Sequence, residues 1–70
     1  MSIDEKDKLK ALLNYWVEHN REHSQEFQEW SHKARVLGET EIAEEMLQAV
    51  QAMDKAGELL SRSLKRLVEE

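Results

Sequence analysis

The sequence predicts an all-α fold, an antiparallel hairpin of two long helices, and three observations carry this prediction. The 70 residues include no proline and only two glycines, while the strong helix formers Leu, Ala, Glu, Lys and Gln are abundant. Charged residues make up 36% of the chain, a value typical of long helices when apolar residues recur every three or four positions. Such a pattern runs on both sides of Gly38. The length corresponds to one domain, residues 1–70.

The first helix is predicted over about residues 3–36. Ser2 and Glu5 form a capping box, in which the Ser2 hydroxyl accepts the Glu5 amide and the Glu5 side chain reaches back. Gly38 supplies a left-handed residue that ends the helix. A break at residues 20–24 would give three shorter helices, but the uninterrupted spacing speaks against it. The spacing follows steps of four and three through Leu9, Leu13, Trp16, Asn20, His23, Phe27, Trp30, Ala34 and Leu37.

The second helix is predicted over about residues 40–68, after a short turn at residues 38–41. Acidic residues crowd its first two turns, where they suit the positive end of the helix dipole. Gly57 falls inside the apolar pattern of this helix and costs about 1 kcal/mol relative to alanine. We therefore expect a side chain to pack closely against Gly57.

The short turn also makes the two helices antiparallel and sets their register. Asn20 is expected opposite Gly57, and His23 opposite Met53 and Asp54. The bulky side chains of the first helix then meet small residues of the second, which fills a core without voids. The predicted core aromatic residues are Trp16, Phe27 and Trp30, and the small residues expected to face them are Ala49, Ala52, Ala56 and Gly57.

The apolar stripe on each helix is wider than a two-helix hairpin can cover. Leu12 and Val17 flank the stripe on the first helix, and Ile42, Leu47 and Val68 flank it on the second. An isolated hairpin would leave part of this surface in water, and so short a chain rarely stabilises itself with one core. We expect an antiparallel homodimer that forms a four-helix bundle, with docking onto another protein as the alternative.

Two polar side chains in the predicted core, Asn20 and His23, are candidates for a special role. Burying an amide or an imidazole costs free energy unless a partner satisfies it. A buried asparagine can fix the register and oligomeric state of a coiled coil, and His23 could do the same when paired with Asp54. The sequence favours this structural role in specificity.

A bound divalent transition metal such as nickel or zinc is the alternative interpretation. His19 and His23 are four residues apart, so both imidazoles project from one side of the helix and can hold one metal ion. Nearby carboxylates could complete the coordination shell or orient the imidazoles. In a symmetric antiparallel dimer the middle of this helix lies near the two-fold axis, which would bring the sites of two subunits together. The candidate metal ligands are His19, His23, Glu22, Glu26 and Asp54.

Composition and motifs argue against several other classes of function. The formal net charge of -5, without a clustered basic surface, disfavours nucleic acid as a partner. No apolar run approaches the roughly 18 residues of a membrane span, and a signal-peptide pattern is missing, so a cytoplasmic location is expected. Absence of cysteine removes disulfides and thiolate chemistry. Because two helices form no deep pocket, we expect a non-catalytic protein that requires no cofactor.

A signature of aromatic residues and histidines runs through the middle of the chain. It reads WVEHNREH over residues 16–23 and is followed by Phe27, Trp30 and the string IAEE at residues 42–45. This signature resembles that of a small uncharacterised helical-hairpin domain of anaerobic bacteria and archaea, which occurs alone or appended to other domains. The resemblance covers nearly the whole chain. It implies a loose association with transition-metal proteins and draws attention to His19, Asn20 and His23.

Two functions follow from these expectations and stay open at this point. The first is a small interaction or assembly module without catalysis. The second is a metal-binding module that uses His19 and His23.

Overall fold

The structure, a computed structural model, describes the backbone of residues 2–70 and the side chains from residue 4 onward. It contains two helices, α1 over Ser2–Val36 and α2 over Thr40–Glu69, which pack into a rod of 54 × 14 × 14 Å. The predicted hairpin and its unbroken first helix are confirmed. The predicted capping box involves the Ser2 side chain, which lies outside the described residues. Neither helix offers a stretch long and apolar enough to cross a bilayer, as far as the chain is described.

The turn between the helices is built on Gly38. Its φ of +87° lies in the left-handed region, which glycine adopts without the steric cost of a Cβ. The Gly38 amide donates to the Arg35 carbonyl at 3.0 Å, and the Glu39 amide donates to the Ala34 carbonyl at 2.9 Å. These are the two hydrogen bonds of a Schellman motif. The predicted role of Gly38 is confirmed, and the chain turns back at once into α2.

The contact between the helices uses a row of α1 that is rotated from the predicted one and shares Leu13, Asn20 and Ala34 with it. Val17, Ser24 and Ser31 recur every seven residues and are buried or half-buried against α2, together with Leu13 and Asn20. The predicted row agrees with the structure at some positions and departs from it at every tryptophan. On α2 the buried or half-buried positions are Ala43, Met46, Val50, Met53, Gly57, Leu60, Leu64 and Leu67.

The three aromatic side chains predicted in the core lie outside the core of the hairpin. Trp16 is 41% exposed, Phe27 36% and Trp30 51%. Serines occupy the helix contact instead, because their small side chains let the helices approach and their hydroxyls can bond to backbone carbonyls. The predicted packing of large against small residues is therefore wrong within one chain. The alanines expected to face the aromatic rings are exposed as well: Ala49, Ala52 and Ala56.

Polar contacts fix the register of the two helices. Asn20 Nδ2 donates a 2.7 Å hydrogen bond to the Met53 carbonyl. A Cβ added to Gly57 would lie 3.0 Å from the same nitrogen. The predicted position of Asn20 opposite Gly57 is confirmed, as is the close neighbour expected at this glycine. The amide that was expected to need a partner has one.

Candidate functional site

The side of α1 that α2 leaves uncovered carries both tryptophans and the phenylalanine. These side chains lie next to the buried row and form a second stripe along the helix. Both histidines of the predicted metal site lie at the middle of this stripe. We call the stripe the aromatic face, and its members are Leu9, Leu12, Trp16, His19, His23, Phe27 and Trp30.

A row of mostly small side chains on α2 borders the aromatic face. A groove on this side of the hairpin is lined by Leu9 and Leu13 of α1 and by Ser63 and Leu67 of α2. Ser63 therefore marks the row of α2 that lies beside the aromatic face. Seven-residue spacing places three further exposed residues on the same row, namely Ile42, Ala49 and Ala56.

Asp54 lies on the opposite side of the hairpin. It accepts a 2.6 Å hydrogen bond from Ser24 Oγ and lines a groove with Asn20 and Gly57. The predicted pairing of His23 with Asp54 is therefore wrong. The reason is the rotation of α1, which turns Ser24 rather than His23 toward α2.

The two imidazoles at the middle of the aromatic face contact each other directly. His19 Nε2 and His23 Nε2 are 2.9 Å apart, so one ring donates a proton and the other accepts it. Glu26 Oε1 lies 3.6 Å from His23 Nδ1, where the carboxylate favours a proton on that nitrogen. His23 Nε2 then offers a lone pair. The His23 side chain is 43% exposed and the residue is half-buried, so the burial predicted for it is only partial.

Aromatic rings flank the imidazole pair at both ends. Tyr15 stacks on His19 with ring centroids 5.2 Å apart and an interplanar angle of 16°. The two imidazoles meet edge to face at 4.4 Å and 83°, and Phe27 lies 6.1 Å from His23. Four rings at four-residue spacing thus form a continuous column on α1, and this packing limits the rotamers of both histidines.

One chain brings together two nitrogen ligands rather than a complete coordination shell. Glu22 is exposed on the outer side of α1, and Asp54 lies across the hairpin. Glu26 approaches the nitrogen of His23 that faces away from His19, which suits orientation of the ring better than metal ligation. Among the residues with described side chains, no three or more His, Cys, Asp or Glu are grouped to hold a metal ion.

Ser24 and Ser31 are core residues that the apolar pattern does not reveal. Both are buried, and the signal for them is their seven-residue spacing with Val17. Ser24 donates its hydroxyl proton to Asp54, and Ser31 donates to the Ala43 carbonyl at 2.9 Å. Burial of these hydroxyls is therefore accompanied by hydrogen bonds, as stability requires.

A family model matches most of the chain. The model, described as Domain of unknown function (DUF8180), covers residues 9–67, a stretch that includes the aromatic face and the part of α2 that packs beside it. No curated protein and no solved structure matches the chain significantly.

Proposed function

The chain belongs to the DUF8180 family, and we propose that it is a non-catalytic assembly module that forms an antiparallel homodimer through its aromatic face. The observation that carries the proposal is the exposure of Trp16, Phe27 and Trp30 along one stripe. Contiguous apolar surface of this kind marks an interaction site on small proteins. Two hairpins stacked through this stripe would give a four-helix bundle.

The surface area of the chain supports a partner of this size. The chain exposes 5662 Å², whereas the scaling for folded monomers gives roughly 4,600 Å² at 8.3 kDa. The excess of roughly 1,100 Å² is larger than the ~800 Å² that each partner buries in a standard interface. A second hairpin on the aromatic face would therefore bring the exposed area of each chain into the ordinary range.

The order of side chains along the aromatic face favours a second copy of the chain over an unrelated partner. The histidines lie in the middle, and large apolar side chains lie on both sides of them. An antiparallel copy centred between the histidines sets Leu12 against Trp30 of the second copy and places Trp16 beside the level of its Phe27. Large apolar side chains then meet each other across a two-fold axis, as a self-complementary interface requires.

The hydrogen bonds of the buried serines support a role without catalysis. Ser24 and Ser31 donate to Asp54 and to the Ala43 carbonyl, so these hydroxyls are engaged in structure rather than paired with a histidine base. The imidazole pair lies on the side of α1 that α2 leaves uncovered. A reaction would need a concave site that excludes water from its reactants.

Sedimentation velocity of the wild type and two variants tests the dimer. We expect a dimer at micromolar concentration and a monomer for Trp16→Lys. Loss of an interface hot spot costs at least about 2 kcal/mol of binding free energy. Both chains of the symmetric dimer carry the substitution, so this cost is incurred twice. The dissociation constant should therefore rise by about 1,000-fold. Leu47→Lys is the matched control, since Leu47 is also exposed but lies seven residues before Asp54, on the opposite side.

Circular dichroism of both variants distinguishes loss of the dimer from loss of helix. A wild type that stays monomeric throughout the micromolar range would overturn the proposal and point to a different protein as the partner. Loss of the dimer in Leu47→Lys together with its retention in Trp16→Lys would place the interface on the opposite side.

Binding of a divalent transition metal such as zinc or nickel is the second candidate function. The observation that favours it is the 2.9 Å distance between His19 Nε2 and His23 Nε2, which brings two potential metal ligands together on one helix. Protein purified without chelator should retain metal, and the double variant His19→Ala/His23→Ala should not. Metal-free wild-type protein that takes up no added zinc or nickel would contradict this function.

A further inference from the structure

We propose that the His19–His23 pairs of two chains form a single metal site at the two-fold axis, with four imidazole nitrogens around a divalent transition ion such as zinc. This inference rests on the proposed dimer. It adds the source of the missing ligands, the number of ions per dimer and the roles of the groups around them.

A second copy of the chain supplies the two metal ligands that one chain lacks. Structural zinc sites take four protein ligands in a tetrahedron, and a single chain presents two imidazole nitrogens on an open helix surface. The carboxylates closest in sequence do not fill the remaining positions, because Glu22 lies on the outer side of α1 and Glu26 adjoins the far nitrogen of His23. A symmetry-related histidine pair provides two more ligands of the same type.

The place of the pair on α1 brings the two copies of it together. The helix spans Ser2–Val36, so its middle residue, His19, lies two positions from residue 21, the midpoint between the two histidines. An antiparallel copy centred on residue 21 therefore keeps nearly the greatest overlap of the two helices. Centred between the histidines, such a copy sets His19 of each chain against His23 of the other. The four imidazoles then occupy one layer of the bundle, between two layers of large apolar side chains.

Metal binding at this layer requires a small rearrangement that conserves protons. Two nitrogens on one tetrahedral zinc are about 3.3 Å apart for Zn–N bonds of ~2.0–2.1 Å. The pair at 2.9 Å therefore has to open by only about 0.4 Å. The proton shared by the two rings moves from His19 Nε2 to His19 Nδ1, a change of tautomer that leaves the ring neutral. His23 needs no such change, since Glu26 favours its proton on Nδ1.

Glu26 and the flanking rings form the surroundings that such a site needs. A carboxylate beside the distal nitrogen of a ligating histidine orients the ring and raises its basicity. Four neutral imidazoles leave the charge of a divalent ion uncompensated, and the two Glu26 carboxylates of the dimer balance it. The rings of Tyr15 and Phe27 cover the two ends of the imidazole pair, which limits access of water.

Zinc titration of the metal-free wild type, followed by calorimetry and native mass spectrometry, tests the site. We expect one Zn²⁺ per two chains, and the intense visible absorption of a tetrahedral centre when Co²⁺ replaces Zn²⁺. His19→Ala and His23→Ala should each abolish binding, whereas His32→Ala, which alters the third and exposed histidine of α1, should retain it. Glu26→Gln should weaken the zinc affinity by about 10- to 100-fold.

The outcomes separate this inference from the proposed dimer. One Zn²⁺ per monomeric chain would overturn the shared site. A metal-free dimer that takes up no Zn²⁺ would also overturn it, while the assembly role would stand. A chain that is monomeric both without and with Zn²⁺ and binds none would overturn both proposals.

Discussion

Replacement of Gly57 by alanine should destabilise the hairpin, although alanine is the better helix former by about 1 kcal/mol. The new Cβ would lie 3.0 Å from Asn20 Nδ2, closer than an ordinary van der Waals contact. That nitrogen is held by its 2.7 Å hydrogen bond to the Met53 carbonyl. Either this bond lengthens or the two helices move apart.

The magnitudes decide the sign of the effect. A weakened hydrogen bond costs about 1 kcal/mol, and overpacking at a helix contact costs about 1–3 kcal/mol. After subtraction of the gain of about 1 kcal/mol in helix propensity, Gly57→Ala should lower the free energy of unfolding by about 1–3 kcal/mol. In the Asn20→Ala background the steric conflict is absent, so Gly57→Ala should raise the free energy of unfolding by about 1 kcal/mol. The coupling free energy between the two sites is then about 2–4 kcal/mol.

A double-mutant cycle measures this coupling. Urea unfolding followed by circular dichroism, at one protein concentration, gives the free energies of the wild type, Gly57→Ala, Asn20→Ala and the double variant. Sedimentation should show the same oligomeric state for all four, because residue 57 lies on the buried row of α2 and not on the aromatic face. Stabilisation of the wild type by Gly57→Ala, or additivity within about 0.5 kcal/mol, would refute the reasoning.

Three further positions can be probed by the same unfolding assay. Gly38→Ala should cost about 1–2 kcal/mol because the φ of +87° forces a Cβ toward the backbone, and an unchanged midpoint would contradict the role of the turn. Ser31→Ala should cost about 1 kcal/mol through its lost bond to the Ala43 carbonyl. Ser31→Leu should cost about 1–3 kcal/mol more than Ser31→Ala, since Ser31 is 2% exposed. Equal losses of stability in the two variants would mean that the helix contact has space for a leucine side chain. Lys6→Ala should leave the stability unchanged because its ion pair with Glu70 joins two exposed side chains, and a clear loss would show that this pair closes the hairpin.

The architecture could be predicted because several local signals agree. The absence of proline and the long apolar periodicity indicate two helices, and Gly38 places the turn between them. Such a short turn leaves one way to pair the helices. The position of Asn20 opposite Gly57 follows from it, and the structure confirms this register.

The rotation of α1 about its own axis could not be predicted in the same way. Either of two neighbouring stripes on α1 could pack against α2. Hydrophobicity favours the stripe that carries the tryptophans. The structure uses the stripe of Ser24 and Ser31, whose hydroxyls find partners on α2 and whose small volume permits close contact. The spacing of apolar residues carries no information about hydrogen bonds between helices. The prediction therefore placed the larger apolar side chains in the helix contact.

In the candidate metal site, the contacts within one helix could be predicted, and the contact between the two helices could not. The contact between His19 and His23 depends on one helix alone, and four-residue spacing predicts it. The nearness of Glu26 to His23 is also a property of one helix. The expected contribution of Asp54 depends on the rotation of α1 against α2, and it fails for that reason.

The serine-lined contact near the turn determines how the hairpin opens. Ser31 and Ala43 are 12 residues apart and tightly buried, whereas Lys6 and Glu70, at the open end, are 64 residues apart and exposed. Closing a short loop costs less conformational entropy than joining distant ends. The hairpin should therefore zip from the turn outward, and protection of its amides against hydrogen exchange should fall steadily toward the two termini.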